Sequence, residues 1–147
     1  MKTPKDRRVV YLVSCVKSKR RGPSRAKDLY RSVWFSKAKE YVERLNQPWA
    51  ILSAKHYLLS PDKVIRSYDR TLNNMTLDAR RIWSDRVVRK IRLKYRSGHT
   101  VVLLAGKNYR EHVVPLLKEA GFIVRTPLAK MGIGKQLSWF NKRLNIS

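Results

Sequence analysis

Four short apolar runs punctuate the chain, at residues 9–13, 49–52, 100–105 and 122–124. The first reads Val9-Val10-Tyr11-Leu12-Val13, rich in β-branched residues and continuous in its apolar character. Such runs suit strands buried on both faces. Between them the hydrophobic spacing changes to that of a helix. Trp34, Ala38, Tyr41, Val42 and Leu45 share one face over residues 30–46. A second, less regular stripe runs over 77–95, with Thr76 as N-cap and Asp78 in the first turn. A third covers 108–120, where Pro115 either kinks the helix or delays its start, and Gly121 supplies the stop. A last helix is expected from about residue 134 to 144.

Alternation of this kind predicts an α/β domain: a parallel four-stranded sheet with helices on both faces, in three layers. With 147 residues the chain has room for one such domain, over 8–147, behind a basic lead-in at 1–7. Ligands of open parallel sheets sit beyond the C-terminal strand ends. Four connections therefore converge there: 14–25, 53–75, 106–108 and 126–134. The stretch 56–75 reads as one long loop, and loops of that length in small domains are usually functional.

Charge limits what meets that edge. The chain holds 34 Lys and Arg against 10 Asp and Glu, a net +24, while 43% of its residues are hydrophobic. A folded body this basic is self-repulsive unless it meets a polyanion. DNA is the expected partner, ahead of RNA or an anionic membrane. Cys15 is the sole cysteine, which excludes an intrachain disulfide and a Cys-rich zinc site. No apolar stretch approaches the roughly 20 residues of a membrane span, and the run at 9–13 is too short for a secretory signal. A soluble, cytoplasmic protein without metal or cofactor is the expectation.

The first loop carries Ser14, Lys17, Lys19, Arg20, Arg21 and Arg25 and no acid. Hydroxyls, loop amides and cations are what phosphate oxygens require. It is not a nucleotide-binding P-loop, because the flanking glycines are missing. Cys15 fits a small buried residue at a strand end better than a nucleophile. Lys107, and Lys135 behind Gly132 and Gly134, are further candidates for phosphate. The second loop holds Asp62 and Asp69, two of the ten acids. A carboxylate there can orient water or stabilise an oxocarbenium-like transition state. His56 can serve as acid or base, and Tyr57 and Tyr68 can stack on a base. The alternatives are that Asp62 caps the turn after Pro61 and that Asp69 pairs with Arg66 or Arg70. Eight cations lie between Arg80 and Arg96, on a helix that suits a DNA backbone. No recognition-helix or zinc-finger motif appears.

Several segments together resemble a known family. They are Leu12-Val13-Ser14-Cys15-Val16-Lys17-Ser18-Lys19, Asp28-Leu29-Tyr30-Arg31-Ser32, and Trp49-Ala50-Ile51-Leu52-Ser53-Ala54-Lys55-His56-Tyr57-Leu58-Leu59. Pro61-Asp62, Tyr68-Asp69-Arg70-Thr71-Leu72, and Leu104-Ala105-Gly106 with Tyr109 complete the set. The set is similar to a small bacterial and phage-associated family, distantly related to YaaA-like peroxide-stress proteins and mostly of unknown function. The resemblance implies a fold like the uracil-DNA glycosylase superfamily. It also implies an anti-phage DNA glycosylase that flips out and excises a modified base such as glucosylated hydroxymethylcytosine. Uracil-DNA glycosylases carry a water-activating acid after their first strand. No acid stands between Ser14 and Asp28 here, which moves the candidates to Asp69 and Asp62. On this reading Ser14, Cys15, Ser53 and Lys55 contact the base, with Tyr30, Tyr57 or Tyr68 stacking on it. A non-catalytic nucleic-acid-binding domain is the alternative, and a nuclease a further one.

Overall fold

The computed structural model describes residues 8–14 and 22–145. The lead-in 1–7 and the candidates Cys15, Lys17, Lys19, Arg20 and Arg21 lie outside the described residues.

The first apolar run is β1 (Val9–Ser14), followed by the short β2 (Ser24–Arg25) and one helical turn, α1 (Ala26–Leu29). The helix α2 (Val33–Arg44) begins where Ser32 accepts a hydrogen bond from the Phe35 N–H at 3.0 Å. The second run forms β3 (Trp49–Ser53) and turns back as β4 (Tyr57–Leu59). After β5 (Val64–Ile65) and a 3-10 turn (Leu72–Asn74) comes α3 (Leu77–Lys94), capped as expected by Thr76 on the Ala79 N–H. Then follow β6 (Thr100–Leu104), α4 (Lys107–Arg110), α5 (Val113–Glu119), β7 (Ile123–Arg125) and α6 (Ile133–Leu144).

The sheet is mixed and five-stranded, in the order β4-β3-β1-β6-β7. The four expected strands are parallel, with Tyr11 opposite Trp49 on one side and Val102 on the other. The fifth corrects the four-stranded expectation: β4 pairs antiparallel with β3, Ser53 opposite Tyr57. Three residues are too few for alternation to show in sequence, so this hairpin was hidden in the supposed loop. The same stretch supplies β5, which pairs with β2 in a separate two-stranded sheet.

The helix expected over 108–120 is two helices. Pro115 is the third residue of α5, where its missing N–H has no intrahelical acceptor anyway. Beyond α5, Gly121 takes φ +90, and the Gly121 and Phe122 N–H groups bond back to Lys118 and Leu117 at 3.0 Å each. That is a Schellman stop.

The chain moves from β1 to β3 in one direction across the sheet and from β3 to β6 in the other. Right-handed crossovers then put the intervening helices on opposite faces. Accordingly α2 packs on β1 and α6, and α3 packs on β4 and α5. Burial follows the three layers: Leu12, Ile51, Leu52, Leu103 and Leu104 are inaccessible in the sheet, with Phe35 and Phe140 above and Ile91 and Leu117 below.

Candidate functional site

Because the connections after β1 and β6 leave to opposite faces, a crevice opens between the C-terminal ends of these adjacent strands. A cavity of about 610 Å³ fills it. Ser14 from β1 and Gly106, Lys107, Asn108 and Tyr109 after β6 form its floor and one side. Ser32 and Trp34 at the start of α2, and Ile133, Gln136 and Leu137 at the start of α6, form the opposite wall. The long connection before α3 adds Arg70, Thr71 and Asn73.

Two side-chain amides that line the cavity are already engaged. Gln136 accepts from the Trp34 indole N–H at 2.8 Å and donates to the Met131 carbonyl at 2.8 Å, so its amide is held at both ends. Asn108 accepts from Arg80 at 2.9 Å and donates to the Asn73 side-chain oxygen at 2.6 Å. Arg70 and Lys107 stand on the wall with no ion pair among the described residues, and no described acid joins them there. A cavity with two cations outside any described ion pair and no described acid favours an acceptor-rich, anionic ligand. Trp34 and Tyr109 give it aromatic surface, and Ile133 and Leu137 apolar surface.

A shallower depression of about 460 Å³ adjoins it through the shared residues Arg70 and Thr71. Asp69 lies there, facing the same space as Lys55 and Tyr68. Tyr68 is the anchor of this region. Its hydroxyl meets Tyr30 Oη at 2.6 Å and Ser53 Oγ at 2.7 Å, in the interior. Ser53 Oγ also accepts the His56 N–H at 3.0 Å. The Ser53-Ala54-Lys55-His56 turn and the segment bearing Asp69 and Arg70 are thereby tied to one point.

The sequence candidates separate into groups. Ser14 and Lys107 reach the main cavity, and Asp69, Lys55 and Tyr68 reach the adjoining one. Ser53 and Tyr30 are interior and act through Tyr68. Asp62 stands apart: its side chain is 71% exposed and pairs with Lys27 at 3.3 Å. Tyr57 takes φ +64, its hydroxyl accepts from Arg86 of α3 at 2.8 Å, and it lines neither cavity. His56 lines neither cavity and sets its ring edge-on to Tyr68 at 5.4 Å. Burial, then Lys55 and Lys63, lower its pKa, which favours neutral imidazole. Arg25 is exposed where β2 meets α1, and Lys135 is exposed on the first turn of α6 beside Gln136.

Of the other wall residues, Trp34 belongs to the helical stripe over 30–46 and Ser32 to a segment that carries the family resemblance, whereas Asn73, Ile133 and Leu137 are not site candidates in the sequence. Helix starts at the sheet's carboxyl edge would have been the clue. The basic helix α3 meets the cavity only near its N-terminal end. Its 18 residues span about 27 Å. Arg80 is at the cavity, through Asn108, but Arg92 and Lys94 lie toward the opposite edge, near the start of β6. Much of the charge on α3 therefore does not surround the mouth.

Among the described residues no group of three His, Cys, Asp or Glu is placed to hold a metal ion. Nor is any described helix long and apolar enough to cross a membrane.

Residues 10–142 match the model of a family of unknown function, DUF6884. The chain belongs to that family. Uncharacterized protein YfjM of Bacillus subtilis (strain 168) is similar, 31% identical over 123 residues that cover 82% of this chain and 81% of that protein. No solved structure matches.

Proposed function

We propose that this protein is a DNA glycosylase that takes an extruded nucleotide into the crevice between β1 and β6 and hydrolyses its N-glycosidic bond. The observation that carries the reading is the cavity itself: donor-rich, partly aromatic and free of described acids, on a chain of net charge +24. A nucleotide complements such a wall: its base offers a flat π-surface to the aromatic rings and its phosphate a negative charge to the cations. Arg70 and Lys107 take phosphate oxygens, and Trp34 or Tyr109 packs on the base. Asp69, in the adjoining depression, directs water to the sugar carbon. The water oxygen bonds to that carbon, the bond to the base nitrogen breaks, and the base leaves with a proton. The adjoining depression gives room for a bulky substituent such as a glucosylated hydroxymethyl group. The layered sheet is, on this reading, a small relative of the uracil-DNA glycosylase fold, working in the cytoplasm against phage DNA.

The test is incubation of the purified protein with ordinary and phage-modified DNA. Free bases are read by mass spectrometry and abasic sites by alkaline cleavage. Asp69→Asn is expected to abolish release and keep DNA binding, whereas Asp62→Asn leaves both unchanged. Absence of release from every modified DNA overturns the proposal.

One observation favours a second reading, a nucleic-acid-binding domain without catalysis. No described acid lines the main cavity. On that reading Asp69→Asn changes nothing.

A further inference from the structure

On the face of the sheet shared by α2 and α6, a second groove of about 540 Å³ lies between α6 and the edge strand β7. Its floor is a row across three strands. Tyr11 of β1 is in register with Val102 of β6, and Val102 with Arg125 of β7. Its wall is Trp139 and Arg143, one turn apart on α6, with Tyr41 of α2 behind them. The aromatic rings support one another: Tyr41 meets Tyr11 edge-on at 6.2 Å and Trp139 at 5.1 Å. Arg143 sits over Trp139, its guanidinium carbon 3.6 Å from the ring centre, and donates to the Trp139 carbonyl at 3.3 Å. Among the described residues no carboxylate stands on this groove and neither arginine has an ion pair.

We propose that this groove is a binding site for single-stranded nucleic acid, separate from the cavity between β1 and β6. Two arginines without counter-ions supply the phosphate contacts. The stacked Trp139 and Arg143 offer a base a flat surface that is already ordered, so little side-chain freedom is lost on binding. The groove is open because α6 packs chiefly on α2, and β7 stands at the sheet edge with Ile123 44% exposed. An acidic peptide would match the charge but not the run of aromatic rings. The site does not depend on glycosidic chemistry.

The experiment measures binding of a fluorescent 12-nucleotide oligodeoxythymidine by anisotropy over a range of salt, and maps contacts with a bromouracil-substituted copy by photocrosslinking. Crosslinks are expected on Trp139 or Tyr41. The double variant Arg125→Ala/Arg143→Ala should lose about tenfold or more in affinity at 0.1 M salt. It should also flatten the log–log salt dependence by about 1.4, at 0.7 per phosphate. Circular dichroism and a thermal melt confirm that the variant is folded, both arginines being surface groups. Three results would overturn the proposal. One is crosslinking confined to Trp34 or Tyr109. Another is equal loss in Arg89→Ala/Arg92→Ala on the opposite face, which would show diffuse charge. The third is displacement of the oligonucleotide by polyglutamate at matched ionic strength, which would point to a polypeptide partner. Base release is measured separately on the same variants, so failure here leaves the glycosylase reading standing, and the reverse.

Discussion

Replacing Tyr68 by Phe removes one oxygen atom and keeps the ring. That oxygen sits in the interior on a residue only 7% exposed and bonds Tyr30 at 2.6 Å and Ser53 at 2.7 Å. A net hydrogen bond is worth about 1 kcal/mol, and a buried partner deprived of its bond adds desolvation cost, so the loss should be about 2 kcal/mol. With an unfolding entropy of about 2.1 cal/mol/K per residue, 147 residues carry about 0.3 kcal/mol/K, and the melting temperature should fall by about 6 °C. The control is Tyr57→Phe, whose hydroxyl meets Arg86 at the surface, with an expected change within about 0.5 kcal/mol. Thermal melts and urea titrations of both variants are the assay. Limited proteolysis should cut the Tyr68→Phe chain faster near Arg66 and Arg70, because the tether of that segment is gone. Equal melting temperatures for the two variants would refute the argument that the Tyr30–Tyr68–Ser53 chain holds this connection.

The remaining predictions concern charge, backbone and pH. Arg70→Ala/Lys107→Ala should flatten the salt dependence of duplex DNA binding by about 1.8, at 0.9 per phosphate, read by anisotropy. Gly121→Ala should cost about 1–2 kcal/mol from φ +90 alone, and its new Cβ would sit 3.1 Å from the Ser97 Cβ. Gly98→Ala, at φ +91 in open space, isolates the conformational part, so the difference between the two melts reads the Ser97 contact. His56 has its pKa lowered from 6.5 by burial, Lys55 and Lys63. The unfolded chain therefore binds the proton first, and stability present above pH 6.5 is lost as pH falls toward the folded value. Chemical denaturation between pH 7.5 and 5 should show that loss in the wild type and a flatter profile in His56→Gln.

Much of the architecture was legible because it rests on local patterning. Continuous apolar runs marked the four parallel strands, and Thr76, Pro115 and Gly121 marked helix boundaries by conformational limits that act within a few residues. The net charge required no fold to read. Tertiary structure decided which side chains share a space. Trp34 and Gln136 are 102 positions apart yet bond at 2.8 Å, because α2 and α6 start at the same sheet edge. Asp62 and Asp69 are seven positions apart yet separate, because Lys63 and Ser60 close a turn that turns Asp62 out to Lys27 while Tyr68 is pulled inward. The β4 hairpin was hidden because a three-residue edge strand is set by its pairing partner, not by its own periodicity. Sequence fixes what each segment prefers within a few residues. The neighbours that make a site come from how the layers pack, and packing is a property of the whole chain.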